Sequence, residues 1–290
     1  MAKKIAVIND LSGFGRCSLT AAIPVIAAMG VQPCPLPTAI LSAQTGYPSY
    51  FIDDYTEKME HICREWQKQK ARFDGIYTGF LANREQIRQA ERFLDIFDKE
   101  DTVLLVDPVM GDNGARFGIF SEEFQAAMRE LVSRADIATP NLTELCLLAG
   151  EDCRMARADT YGQEQVRKAV EQMAGTVMAA GPSEMVVTGI RFRDKDSQKE
   201  MMGNLAVTQE RSELFAAEYM GESYSGTGDL FASVIAAGKA KGYSLGESVC
   251  LAQKFVSASI RDAVQENVPR NEGVEFERQI RILVNPDLSR

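Results

Sequence analysis

The sequence predicts a three-layer α/β/α fold with a mostly parallel central sheet and an antiparallel edge. Three observations predict it: short apolar runs, longer helical stripes that alternate with them, and a change of pattern over residues 190–220. The runs are Ile5–Ile8, Gly75–Tyr77, Val103–Val106, Ile137–Ala138 and Met185–Val187. They are apolar throughout rather than alternating, as strands covered on both faces are. Strand-helix alternation places such strands in a parallel sheet.

The helices between them are read from 3.6-residue periodicity. Met59, Ile62, Cys63 and Trp66 share a face, as do Ile87, Ala90, Leu94 and Phe97. Phe124, Ala127, Met128 and Leu131 form a third stripe, and Val166, Ala169, Val170, Met173 and Val177 a fourth. Residues 191–200 are rich in charge and turn formers, and Gly203–Val207 and Glu213–Tyr219 follow as candidate strands of an antiparallel edge. Two helices close the chain, one starting at Asp229 and one carrying Val249, Ala252, Val256, Ile260 and Ala263. No linker divides these elements, so residues 1–290 are read as one domain.

Composition narrows the function. A net charge of −9 disfavours nucleic acid, whose backbone needs a basic surface. It does not exclude a nucleotide, whose charge a divalent cation and a few local donors can meet. The six cysteines show no C-x-x-C pair, which predicts reduced thiols and a cytoplasmic protein. No apolar run approaches the ~18 residues of a membrane span. The lone histidine, His61, falls on the polar side of its helix. That removes histidine-based triads, and with scattered cysteines it removes zinc sites.

Each apolar run leads into polar residues: Asn9-Asp10, Thr78-Gly79, Asp107-Pro108, Thr139-Pro140-Asn141 and Thr188-Gly189. The carboxyl ends of parallel strands share one edge, where open α/β sheets bind ligands. Strand ends also need polar caps, so each position alone has a second explanation. The strongest local signal is Ser225-Gly226-Thr227-Gly228-Asp229 before an Ala-rich helix. Glycines there let the free amides of a helix start face an anion. An acid in such a loop repels a phosphate, but it suits a base that deprotonates an attacking hydroxyl. An Asp N-cap after a glycine turn is the alternative.

Two nucleotide devices are missing. Gly13-Phe14-Gly15-Arg16-Cys17-Ser18 lacks the third glycine of a dinucleotide fingerprint, and no acid follows at the ribose position. No G-x-x-x-x-G-K-[ST] P-loop occurs.

Taken in order, these segments resemble the pyridoxal kinase group of the ribokinase superfamily, over Lys4 to about Leu283. Asp107-Pro108-Val109-Met110-Gly111-Asp112 is similar to the group's D-P-V-[ML]-G-D, and Thr139-Pro140-Asn141-Leu142-Thr143-Glu144 to T-P-N-x-x-E. Ser42-Ala43-Gln44-Thr45-Gly46-Tyr47 matches S-N-H-T-x-Y in part, and Gly226-Thr227-Gly228-Asp229 matches G-T-G-D. The resemblance implies a ribokinase-like fold and an ATP-dependent kinase for the 5'-hydroxymethyl group of a vitamin B6 vitamer. It implies Asp229 as base, with Gly226, Thr227 and Gly228 as anion hole. Asp112, Asn141, Glu144 and Thr188 would bind ATP, and Asp107 and Glu144 would hold Mg²⁺, with a K⁺ requirement left open. Asp10, Thr45 and Phe80 would hold the vitamin ring, and residues 269–276 would pass near the adenine. A homodimer is implied as well.

The sequence departs from the group at the substrate end. Asp10-Leu11 stands where Ser-His is usual, Ala43-Gln44 where Asn-His is usual, and Phe80 where Tyr is usual. Three alternatives stay open: a hydroxymethylpyrimidine kinase, although those commonly carry Gly-Thr-Gly-Cys; a vitamin-binding regulatory protein without turnover; and a sugar kinase, although the stretch between Val31 and Asp53 is short for a lid.

Overall fold

Ile5, Ala6, Val7 and Ile8 are wholly shielded from solvent, and the strand they form, β1 (Lys4–Ser12), has parallel neighbours on both sides. This computed structural model describes residues 2–154, 162–221 and 223–284. The chain divides into two units, one of Met1–Leu105 with Met220–Arg290 and one of Val106–Tyr219.

In the first unit the strands run in the order β5 (Val103–Val106), β4 (Gly75–Thr78), β1, β2 (Gln32–Leu41), β3 (Ile52–Asp54). β3 pairs antiparallel with the end of β2. Helices α1 (Ser18–Ala28), α7 (Thr227–Ala240) and α8 (Leu245–Gln265) pack as one group; α2 (Thr56–Lys68) and α3 (Arg84–Phe97) pack as another. Burial of β1 on both faces follows from that covering. A short α9 (Arg281–Val284) packs on α8.

β2 was not legible in the sequence, and its prolines explain why. Pro33, Pro35 and Pro37 alternate with residues on the β1 side, such as Gln32, whose N–H donates to Lys3 at 2.8 Å. The prolines therefore lack their N–H only on the far edge, which acquires a partner strand no earlier than Ala39.

The stripes on α2 and α3 meet around Phe73. Trp66 lies 5.4 Å from Phe73 between ring centroids, Phe73 5.4 Å from Phe97, and Phe93 4.5 Å from Phe97. His61 is exposed, as its place on the polar side of α2 implies.

In the second unit β8 (Ile137–Ala138) pairs parallel with β9 (Glu184–Arg193). β10 (Glu200–Thr208) pairs antiparallel with β9 and with β11 (Ser212–Glu218), which is the expected antiparallel edge. A two-residue hairpin pair, β6 (Gly111–Asp112) and β7 (Ala115–Arg116), precedes α4 (Glu122–Ser133). Helix α5 (Leu142–Ala149) packs on α4 and on α6 (Gln163–Met178). Among the described residues no helix is long and apolar enough to cross a membrane.

Phe93 is 1% exposed within the aromatic cluster. Phe93→Ala is expected to cost about 3–5 kcal/mol, read as a lower urea midpoint at unchanged slope.

Candidate active site

β1 does not stop where its apolar run ends. It continues through Asn9 and Asp10 to Ser12, and its register against β2 slips between Asn9 and Leu11. Such a bulge re-aims side chains, and here consecutive polar residues are both buried: Asn9 is 0% and Asp10 5% exposed. The Asn9 Oδ1 accepts hydrogen bonds from the backbone N–H of Asp10 at 3.0 Å and of Phe80 at 2.8 Å. Its Nδ2 donates to Asp229 Oδ1 at 3.0 Å. Gly79 makes room for this amide, since a Cβ there would lie 2.4 Å from Asn9 Nδ2.

Asp229 is in the first turn of α7, two residues inside a helix that starts at Thr227 rather than at Asp229. The N-cap is Gly226, and it makes no side-chain cap bond. The N-cap explanation of Asp229 is thereby removed. Gly226 has φ +80°, and a Cβ on it would come within 1.9 Å of the Arg16 carbonyl oxygen. Only glycine satisfies both demands. Gly228 differs: nothing lies within 4 Å of where its Cβ would be. The Thr227 hydroxyl donates to the Tyr224 carbonyl at 3.0 Å, closing the turn.

Burial raises the Asp229 carboxyl to a pKa of about 6; a hydrogen bond from the Ser18 backbone opposes the shift, the Asp10 charge adds to it, and Asn9 opposes it. Asp10 is also raised, by burial, against hydrogen bonds from the Ser18 and Ser12 side chains; the Ser12 hydroxyl donates at 2.8 Å. Ser18, first residue of α1, has φ +50°, a conformation uncommon outside glycine. In that conformation it serves both acids, with its backbone for Asp229 and its hydroxyl for Asp10. Neighbouring Cys17 is pushed up to about 12 by burial first and then by the charges of Asp229 and Asp10. It stays a thiol at neutral pH and is no nucleophile.

The 42–47 loop is held by Gln44. Gln44 is buried; its Nε2 donates to the Asn271 carbonyl at 3.1 Å and to Ser225 Oγ at 3.3 Å, and its Oε1 accepts from Gly46 N–H at 2.7 Å. Thr45 is exposed, and Phe80 is half-buried with its carbonyl bonded to the Thr38 hydroxyl at 2.9 Å. Residues 269–276 lie against this loop and the glycine turn: Asn271 Nδ2 donates to the Gly46 carbonyl at 2.8 Å, and Ser225 N–H donates to the Arg270 carbonyl at 3.2 Å.

The second unit gathers the other candidates around the start of α5. Asn141 and Glu144 form a full capping box: Asn141 Oδ1 accepts from Glu144 N–H at 2.9 Å, and Glu144 Oε2 from Asn141 N–H at 2.8 Å. Both residues also reach the 107–114 segment. Glu144 Oε1 accepts from Met110 N–H at 3.1 Å, Asn141 Nδ2 donates to the Gly111 carbonyl at 2.8 Å, and Thr143 Oγ1 accepts from Gly114 N–H at 2.8 Å. Thr188 is bridged to Asn141, its N–H donating to the Pro140 carbonyl at 2.9 Å. Glu144 is pushed well up, by burial first and then by the charge of Asp107. Asp107 is buried, and Asp112 is exposed with its carboxylate turned to Asn113. Two buried carboxylates facing each other suit a divalent cation such as Mg²⁺, which needs one or two protein carboxylates beside waters and phosphate oxygens. Among the described residues no group of three or more metal-ligating side chains occurs.

Sequence reasoning gave no role to Ser12 or Ser18, and it placed Asn9, Gln44 and Asn271 only within longer segments, without an individual role. One signal was available for Asn9: Thr78-Gly79 ends the neighbouring strand, and a glycine inside a strand end often marks a close approach.

Fold and family together define a kinase of ribokinase-like fold, a phosphotransferase acting on a hydroxyl group. Comparison with known proteins gives the family. The phosphomethylpyrimidine kinase profile matches residues 15–273, so the chain belongs to the phosphomethylpyrimidine kinase family. A Bacteroides thetaiotaomicron protein provisionally assigned as a phosphomethylpyrimidine kinase, solved with pyridoxal, is 35% identical with a TM-score of 0.88, over 98% of this chain and 96% of that one. The pyridoxine/pyridoxal/pyridoxamine kinase of Bordetella avium is 28% identical over 87% of this chain and 80% of its own. The hydroxymethylpyrimidine/phosphomethylpyrimidine kinase of Mycobacterium leprae is 25% identical over 89% and 88%.

The two glycines predict opposite results in chemical denaturation. Gly226→Ala is expected to cost about 2 kcal/mol or more, since αL strain alone costs about 1–2 kcal/mol and the side chain meets backbone. Gly228→Ala, in a helix and facing open space, is expected to leave stability unchanged or to raise it by up to about 1 kcal/mol.

Proposed function

We propose that the protein transfers the γ-phosphoryl group of ATP to the 5'-hydroxymethyl group of a vitamin B6 vitamer, pyridoxal, pyridoxamine or pyridoxine. The observation that carries this reading is the Asp229 carboxyl, poised near a pKa of about 6 at the start of a helix whose first amides have no intrahelical partner. The pyridoxal bound to the Bacteroides relative and the activity named for the Bordetella relative support the substrate class.

In this reading Asp229 takes the proton of the acceptor hydroxyl as its oxygen bonds to the γ-phosphorus and ADP leaves. The amides of Gly226, Thr227 and Gly228 hold the charge that develops on the transferring group. Asp112, Asn141, Glu144 and Thr188 serve the nucleotide, and Asp107 and Glu144 hold Mg²⁺. Bound there, the cation neutralises phosphate oxygens. Asp10, Thr45 and Phe80 serve the vitamin ring. The full reading is a single functional domain, cytoplasmic and homodimeric, using ATP with Mg²⁺, with K⁺ dependence to be measured.

A second reading, phosphorylation of a hydroxymethylpyrimidine, is favoured by the family match and by the acid at position 10. It needs the same base and a ring of similar size. Coupled assays on the three vitamers and on hydroxymethylpyrimidine decide between them. At least one vitamer is expected to exceed the pyrimidine tenfold or more in kcat/KM; the reverse order overturns the substrate, and no ATP consumption with any alcohol overturns the kinase reading.

For a base with a pKa of about 6, kcat/KM is expected to fall with unit slope as pH drops below that value, because the protonated carboxyl cannot accept a proton. An unperturbed Asp would hold its activity down to about pH 4. Asp229→Asn is expected to lower kcat by about 10²–10⁴-fold with ATP affinity retained in calorimetry. Asp107→Asn is expected to weaken the stabilisation that Mg²⁺-ATP gives to the thermal midpoint, at least about tenfold in the Mg²⁺ needed.

A further inference from the structure

We propose that Asn9 is the positioning residue for Asp229, a donor clamped so that it can face only the base. The proposal rests on the reading of Asp229 as base and adds a role that the base assignment does not contain. An asparagine amide normally has two orientations related by a flip. Here the flip is decided by the neighbours. Oδ1 receives two backbone donors, Asp10 N–H at 3.0 Å and Phe80 N–H at 2.8 Å. A flipped amide would set Nδ2 against both of them and leave two buried N–H groups without an acceptor, which costs about 1–3 kcal/mol each. The NH₂ group is thereby committed to the Asp229 side, where it donates at 3.0 Å.

Asn9 also cannot turn aside. It is 0% exposed, and the Gly79 backbone lies so close that a Cβ there would be 2.4 Å from Nδ2 and 2.6 Å from Cγ. The bulge after Asn9 fixes where the strand delivers it. The bond to Oδ1 sets the plane of the Asp229 carboxyl, and so the direction in which its remaining lone pairs receive a hydroxyl proton. Positioning of this kind is worth large factors, since small displacements of a reacting group cost about 10²-fold. The titratable groups facing Asp229 from the packed elements are Asp10 on β1 and Cys17 before α1. The charge of Asp10 destabilises its anion and Asn9 works against it, while Cys17 stays a neutral thiol.

The test uses the full-length protein with Asn9→Ala, which removes the donor, and Asn9→Leu, which removes it at nearly constant shape and without adding a charge if Asn9→Ala fails to fold. The Asp229 carboxyl carbon is followed by ¹³C NMR across pH, assigned by its loss in Asp229→Asn, and kcat/KM is followed over the same range. Removing a donor that favours the ionised form must raise the Asp229 pKa. The expected result is therefore an upward-shifted titration in either variant, an acid limb of kcat/KM shifted by the same amount, and kcat lower by about ten- to a hundredfold with KM for ATP unchanged. An Asp229 titration at its wild-type position in a folded variant overturns the proposal, whatever happens to turnover. The NMR shift needs no substrate. A wild-type protein without kinase activity would therefore overturn the base assignment while the clamp between Asn9 and Asp229 was still measured.

Discussion

Asp10 and Asp229 lie in one poorly solvated corner of the first unit; burial raises the cost of charging both, and the charge of Asp10 raises it further for Asp229. Much of the local structure is a response to that constraint. An isolated buried carboxylate is costly unless hydrogen bonds compensate it. The compensation comes from neutral donors: Asn9 Nδ2 and the Ser18 backbone for Asp229, the Ser12 and Ser18 hydroxyls for Asp10. Two of these donors need their own departures from regular structure. Asn9 needs the β1 bulge and a side-chain-free Gly79; Ser18 needs positive φ at the first residue of α1. Strain of this kind persists where the surroundings over-determine it, and here it collects around a single carboxyl.

The second unit meets the same problem with a different answer. Asp107 and Glu144 are also buried carboxylates in mutual repulsion. Glu144 is compensated by backbone amides from both sides, Asn141 N–H within the capping box and Met110 N–H from the preceding segment. The capping box and the proposed cation site are therefore one device. The bonds that stop α5 from fraying also hold residues 110–114 in place, and Glu144 is the residue that joins the two. Loss of the Glu144 side chain would break the reciprocal half of the capping box and the Met110 bond together, although Asn141 would still cap α5 and, with Thr143, still hold residues 111 and 114, so its structural and functional roles cannot be separated by a single deletion.

What could be read from the sequence follows the range of the forces involved. The buried strands and helical stripes were legible because burial on one or both faces leaves a periodic trace within ten or fifteen residues. β2 was not, because its three prolines look like a loop until the unpaired edge of the strand is known. Asp229 and Gly226 were legible as a local pattern, yet the glycine's strictest demand comes from Arg16, more than two hundred residues away. Thr45 was assigned to the substrate ring by motif position; the buried side chain of its loop is Gln44, which no motif singles out, because its partners Ser225 and Asn271 come from the far end of the chain. Asn9 left no periodic trace at all. Its importance comes from three partners, two of which, Phe80 and Asp229, lie on distant segments that only the fold assembles.

The same partners resolve the difficulty that an acid poses at an anion-binding helix start. A carboxylate that capped α7 would occupy the amides a phosphoryl group needs. Asp229 does not cap: the helix has no side-chain cap bond, its N-cap position is taken by Gly226, and the carboxyl is drawn toward β1 and α1 by Asn9 and Ser18. The Asp229 charge is thus satisfied from neighbouring elements, and the positive end of the helix dipole is left unoccupied by it. With the roles proposed above, base and anion hole can occupy consecutive residues because they draw on different donors, the carboxyl on Asn9 and Ser18 and the phosphoryl group on the amides of the α7 start.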